Sequence, residues 1–358
     1  MSKKNKSIRV KLIVNPGAGN ASDTANNLKL VAGYLKKNGL KADVARAKPK
    51  AKATPLARQA IKDGYKVVIA MGGDGTVEAV MRGMVGSKVR LGIVPAGIEN
   101  NIAKSLGIPA NLEEACALIA SKKTRKLDVG QVKTRKSKSF AFFEMAGIGL
   151  SEALYPAVTG SVAEEPSGLP DALPTSSQQE NKPKVILTLD DDTKIELDTM
   201  LVMVSNTSVF GKKFLVAPNA SLQDGFLDIS VYQNFNKTEL SGYYARMMDG
   251  GYSGDGKVMH YQARKLKVRS LPRLKVMADG TELGKGTVTI KMRPDALRVI
   301  APMKSLELAS PAKDEVIPVP ARDEVIPVPP QEVVENLPLP VSKTNKKANL
   351  RKRVISSK

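Results

Sequence analysis

Val67-Val68-Ile69-Ala70-Met71-Gly72-Gly73-Asp74-Gly75-Thr76 is the stretch on which the reading of this chain turns. An uninterrupted apolar run, Val67 to Met71, is what a strand covered on both faces requires. Val77-Glu78-Ala79-Val80-Met81-Arg82 then opens a helix. Glycines at such a strand-to-helix turn adopt φ > 0 and let a ligand approach the backbone, and the new helix start offers unpaired N–H groups. That is phosphate-binding chemistry. Asp74 within it is useful only where a cation accompanies the phosphate, because a lone carboxylate would repel it.

Outward from this turn, strands and helices alternate. Strands are expected over 8–14, 42–47, 67–71 and 90–94. Helices are expected over 24–38 and 55–63 and from Ile102 to Leu106, and Leu112–Ile119 is amphipathic. Alternation of this kind predicts a parallel sheet with helices on both faces, and such sheets bind ligands at the carboxyl ends of their strands. The loops 15–20, 72–76 and 95–101 fall on that edge. After about Leu127-Asp128-Val129-Gly130 the pattern becomes short alternating segments, 140–146, 184–189, 194–197, 200–204, 226–231, 265–268, 274–278 and 288–292, which predict an antiparallel β-domain. Residues 156–183 read as a long flexible loop. Beyond about Leu308 the chain is of low complexity: Lys313–Pro320 is nearly repeated as Arg322–Pro329, and Lys343–Lys358 is basic with no acidic residue. The domains are therefore drawn at 7–129, 130–307 and 308–358, the last a disordered Pro-rich and basic tail.

The 358 residues carry a formal net charge of +21, which favours anionic partners: nucleic acid, anionic lipid or phosphorylated ligands. Aromatics are 4% and Trp is absent, so stacking platforms for single-stranded nucleic acid are poorly supplied, and no recognition motif supports a specific nucleic-acid partner. The one cysteine, Cys116, excludes an internal disulfide and reads as a small core residue. The one histidine, His260, reads as structural, which leaves base catalysis to a carboxylate. No signal peptide is expected at the N-terminus, and no apolar run approaches the ~20 residues of a membrane span. A cytoplasmic chain that meets membranes peripherally is the expectation.

At Asn15-Pro16-Gly17-Ala18-Gly19, at Gly72–Thr76, and at Gly92-Ile93-Val94-Pro95-Ala96-Gly97 leading into Asn100–Pro109, the chain resembles the diacylglycerol kinase catalytic family, which includes the YegS-like lipid kinases and the sphingosine kinases. Leu127–Gly130, Ala146–Gly149, Pro218 with Asp224–Asp228, and Asp279-Gly280 extend the resemblance over about residues 8–300. It implies a nucleotide domain followed by a β-sandwich, ATP and Mg2+ in the cleft between them, and transfer of the γ-phosphoryl group to a lipid hydroxyl. It also implies roles. Asn15, Gly17, Gly19, Gly72, Gly73, Gly75, Thr76, Gly97 and Asn100 would hold the nucleotide. Asp74 and Asp128 would lie near magnesium, and Asp224 with Leu227 would match a structural metal site. Asp74, Asp279 and Glu282 are the catalytic candidates.

Several family positions differ here. Glu78-Ala79 stands for a common Asn-Glu, Ile98 and Asn101 replace a Thr and an Asp, Ser151 stands where an acid is frequent, and Thr281 displaces the Asp-Gly-Glu acid to Glu282. A one-residue slip in a strand turns a side chain to the opposite face. Three functions stay open: an ATP-dependent lipid kinase, a nucleotide- or lipid-binding protein without transfer, and a kinase of a soluble substrate such as NAD. Basic segments 122–138 and 343–358 are read either as solvated faces or as docking elements for an anionic membrane, and a homodimer is left open.

Overall fold

The computed structural model describes residues 7–16, 21–48, 52–149, 183–210, 214–215, 217, 219–233, 235, 239, 242–243 and 257–303. Gly17, Gly19, Ser151, Pro218, nearly all of the 156–183 loop and the 308–358 tail lie outside them.

The first half alternates as the sequence predicts: β1 (Ile8–Val14), α1 (Ala21–Lys37), β2 (Leu40–Arg46), α2 (Ala53–Lys62), β3 (Val67–Gly72), α3 (Asp74–Met84), β4 (Arg90–Pro95), α4 (Asn101–Ser105), α5 (Leu112–Ser121). The strands are parallel in the order β2-β1-β3-β4. All six residues of β3 are buried, because each face of the sheet carries a helical layer. Val10, Leu12, Ile69, Met71 and Val94 meet Val31, Leu35, Cys116 and Ile119 on the side of α1 and α5. On the other side Ile13, Val68, Ala70 and Ile93 meet Ala57, Ala60, Val80 and Met84 of α2 and α3. Cys116 is fully buried, and that burial pushes its thiol up to about 11. Asn111 begins α5 by accepting the N–H groups of Glu113 (2.9 Å) and Glu114 (3.1 Å), which satisfies two donors a helix start leaves open.

Among the described residues thirteen further strands follow: β5 (Thr124–Lys133), β6 (Phe140–Phe142), β7 (Met145–Ile148), β8 (Lys184–Leu189), β9 (Thr193–Ser205), β10 (Val209–Phe210), β11 (Phe214–Leu215), β12 (Leu227–Gln233), β13 (Val258–Ala263), β14 (Lys265–Leu271), β15 (Lys275–Ala278), β16 (Thr281–Lys285) and β17 (Val288–Ile300). Most pair antiparallel and enclose a core that includes Val132, Phe142, Val185, Leu187, Val204, Ile229, Val268 and Ile290.

Four segments depart from the expectation. The segment 140–146 is two strands, broken at Phe143-Glu144 because a carboxylate from elsewhere takes the N–H groups there. The segments 194–197 and 200–204 are one strand, β9, whose first part pairs with β8 and whose second part pairs with β7 and β12. Thr199 stands at the transition, its hydroxyl donating to the carbonyl of Tyr232 at 2.7 Å. Residues 258–263 form a strand, with His260 in it beside the Ser230 hydroxyl (3.1 Å). The segment 288–292 continues to Ile300, bulges between Arg293 and Leu297, and returns to the first half: Arg298 and Val299 pair in parallel with Arg90 and Leu91 of β4. β5, its antiparallel partner, runs unbroken through positions 129 and 130.

Candidate active site

The register aligns the carboxyl ends of three strands. Val14 pairs with Met71, and Gly72 with Pro95. The turn after β3 and the turn after β4 therefore start side by side, held by Ala96 N–H donating to the Gly72 carbonyl at 3.0 Å. Their backbones then touch: a Cβ on Gly97 would lie 2.2 Å from Gly73 Cα. No side chain other than hydrogen fits at that crossing. Gly73 is the N-cap of α3 and supplies no side-chain cap; Thr76 N–H closes the first turn on the Gly73 carbonyl at 2.9 Å, and the Gly75 N–H ahead of it keeps its capacity for an outside acceptor. Gly75 lies in the first turn of the same helix.

Thr76 is buried beside Gly72. Asn100, at φ 53°, braces its own loop: its amide oxygen accepts the Gly97 N–H (3.0 Å), and its amide nitrogen donates to the Gly97 carbonyl (2.9 Å). Asp74 reaches from α3 to α4, accepting the Ile102 N–H at 3.4 Å. Burial pushes its carboxyl above the usual carboxylate range, against the pull of backbone N–H groups at 100–102. Asn15 lies at the end of β1, where its N–H meets the Met71 carbonyl at 3.4 Å.

A second group of side chains lies under this edge. Arg82, one turn along α3 from Glu78, donates to Glu78 Oε2 (3.1 Å), to Asp279 Oδ2 (3.0 Å) and to the Ala141 carbonyl (3.0 Å). Its guanidinium also covers the Phe140 ring, 4.6 Å from the centroid. Asp279, in the β15–β16 turn, accepts three backbone N–H groups, from Phe143 at 2.8 Å and from Glu144 and Met145 at 3.2 Å each. This is the carboxylate that interrupts the 140–146 segment. Glu144 is 4% exposed, and its Oε1 is buried without a hydrogen-bond partner. Burial, and then the neighbouring Asp279, push the Glu78 carboxyl up to about 8. Burial and Glu78 hold that of Glu144 well above its ordinary value. Burial also raises Asp279, in spite of Arg82. Asn206 continues the network, donating to the carbonyls of Phe143 (3.1 Å) and Asp128 (3.2 Å).

The remaining candidates stand apart. Glu282 is on β16, its carboxylate 3.4 Å from Lys275 Nζ. Asp128 is buried and accepts N–H groups from Gly225 (2.7 Å) and Asp295 (2.8 Å). Asp224 accepts the Phe226 N–H at 3.0 Å, and Leu227 is buried at the start of β12. Among the described residues no group of three or more His, Cys, Asp or Glu side chains is gathered to hold a metal ion. Asp128 is given over to two backbone donors, which leaves Asp74 as the acid at the β3–β4 edge; a magnesium ion there would need only one or two carboxylates beside the oxygens of a bound phosphate. The edge at β3 and β4 has a glycine crossing that a Cβ would fill and a helix start with no side-chain cap. The sequence reading does not single out Arg82 or Glu144. The signals are there: an acid-base pair at i,i+4 in an apolar helix, and an acid within Phe142-Phe143-Glu144-Met145.

Two family models cover most of this architecture. Residues 9–132 match the diacylglycerol kinase catalytic domain, and residues 179–301 match the YegS C-terminal NAD kinase beta sandwich-like domain. The chain therefore carries a diacylglycerol kinase catalytic domain followed by a YegS-type β-sandwich domain. It is 27% identical over 241 residues to a diacylglycerol kinase of Bacillus subtilis, spanning 64% of this chain and 75% of that one. It is 26% identical over 254 residues to one of Mycobacterium tuberculosis, spanning 70% and 81%. A solved structure of a diacylglycerol kinase from Bacillus anthracis shares the fold, with TM-score 0.64 at 22% identity over 82% of this chain and 97% of that one. Membership of a kinase family supports a phosphotransferase. Among the described residues no helix is long and apolar enough to cross a membrane.

Proposed function

We propose that this protein is an ATP-dependent kinase that transfers the γ-phosphoryl group to the hydroxyl of diacylglycerol or a related lipid at a membrane surface. The observation that carries the reading is the Gly73–Gly97 crossing beside the open start of α3. Phosphoryl transfer asks a protein mainly for positioning and charge stabilisation. Backbone N–H groups at Gly73 and Gly75 would hold phosphate oxygens, the Asn100 brace would fix the opposing loop, and Asp74 would tie the two helix starts together. The new bond joins the acceptor oxygen to phosphorus as the bond to the departing diphosphate breaks. The acceptor's proton needs a carboxylate. Asp279 is occupied by Arg82 and three backbone donors, so Asp74 and Glu282 are the candidates left from the resemblance.

The same occupation of Asp279 favours a second reading, nucleotide or lipid binding without transfer. One experiment separates them: labelled γ-phosphate from ATP with magnesium, offered to diacylglycerol, ceramide, sphingoid base, a total lipid extract and NAD, with Asp74→Ala as control. A labelled lipid that disappears in the variant supports the kinase. ATP binding with no labelled product supports the second reading, and label on NAD alone moves the assignment to a soluble acceptor.

A further inference from the structure

The strands β5, β17, β14, β8 and the first part of β9 form one sheet whose inner face is apolar. Its outer face is cationic. One row across it runs Lys133, Thr289, Lys267, Thr188, Lys194 in direct cross-strand register. The next runs Gln131, Lys291, Lys265. Arg269 and Lys184 continue β14 and β8 on the same side, by the two-residue alternation of a strand. Lys265 and Lys291 are therefore directly opposed, an arrangement that destabilises a sheet unless something outside answers it. Lys265 has an ion pair with Asp191. Among the described residues no carboxylate pairs with Lys133, Lys194, Lys267, Arg269 or Lys291, and the acids of this face, Glu196 and Asp198, sit on its β9 border. Neighbouring strands are about 4.8 Å apart, well inside the screening length of about 8 Å at physiological salt, so these charges act as one field. At one end of β14 Leu271 is 63% exposed, on the same side as the cations and in register with Lys184.

We propose that this outer sheet face is the surface by which the protein docks on an anionic lipid bilayer, its cations against the headgroups and Leu271 at the acyl boundary. A bilayer suits the face better than nucleic acid does, because the rows carry no aromatic side chain for stacking and include an exposed leucine. The biological sense of the docking rests on the lipid-kinase reading; the surface itself does not.

The test is sedimentation of the full-length protein with vesicles of phosphatidylcholine alone and of phosphatidylcholine with one third phosphatidylglycerol. The parent should prefer the anionic vesicles. Joint replacement Lys133→Glu, Lys267→Glu and Lys291→Glu should lower partition at least about a hundredfold, and the Gln versions of the same three should lower it less. Lys346→Glu, Lys347→Glu and Lys352→Glu in the tail should have a smaller effect than the sheet replacement. The proposal is overturned if the sheet variant sediments as the parent does, if the tail variant loses as much, or if an RNA homopolymer binds the parent more tightly than the anionic vesicles do. Folding is checked by an unchanged unfolding midpoint. Phosphorylation of a water-soluble short-chain diacylglycerol should be the same in parent and sheet variant. If the parent lacks that activity diacylglycerol falls as the acceptor, and sedimentation alone still decides the docking face.

Discussion

The turn edge at β3 and β4 and the acid–arginine group beneath it lie close together on α3, yet they manage polar atoms in opposite ways. At the edge, backbone crosses backbone at Gly73 and Gly97, and the helix start keeps donors for an outside partner. Below it, Arg82 and three backbone N–H groups are taken up by the protein's own carboxylates. The first region leaves backbone open to approach from outside. The second holds α3, the β6–β7 break and the β15–β16 turn to one another. Acidic residues in a kinase-like cleft are therefore not equivalent: what matters is whether their donors come from within the chain.

Removing Arg82 is the severest way to break this contrast. Arg82→Leu would leave Glu78 and Asp279 buried without their counter-charge, and a loss of about 3–5 kcal/mol is expected in denaturant unfolding. A loss below about 1 kcal/mol would mean the group is no more than a surface-type ion pair. Next in size, Glu78→Gln should change the pH dependence of stability. The folded-state pKa of Glu78 is raised, to about 8, so its contribution is present at low pH and fades as pH rises through that value. Between about pH 5 and pH 8 the parent should lose up to about 1.4 kcal/mol per pH unit relative to the variant. Unfolding curves whose difference does not move with pH would contradict that sign.

Gly97→Ala addresses the open region. The new Cβ must push the two loops apart, and a cost of about 1–3 kcal/mol is expected, with nucleotide affinity by calorimetry falling at least about tenfold. Unchanged affinity would show that the crossing is not part of a phosphate site. Asn111→Ala is the mildest change, since it removes only the start of α5; about 1 kcal/mol of stability should be lost with nucleotide binding untouched.

How much of this is legible in advance follows the range of the interactions. The β3 run and its glycine turn are local, and both can be read from the residues, as can the alternating helices and the burial of Cys116. The Arg82–Asp279 contact joins residues 197 apart, and nothing near either residue names the other. The length of β17 is also hidden. Its middle, Arg293-Pro294-Asp295, is exposed and polar where the bulge lifts it from the ladder, so the alternation stops at 292. His260 reads as structural, which fits its place in a strand, but the strand itself escapes the sequence because its residues are only partly buried and show no clear alternation.

The return of β17 bears on how the chain is made. Arg298 and Val299 pair with the first two residues of β4, yet they leave the ribosome long after it, once the other strands of the described residues have been synthesised. Until then the parallel sheet carries an apolar strand whose first residues, Arg90 and Leu91, lack these partners, and an open strand edge is the kind of feature that recruits other chains. Synthesis of this protein therefore passes through a long interval in which its earliest-made sheet waits for a strand made some two hundred residues later.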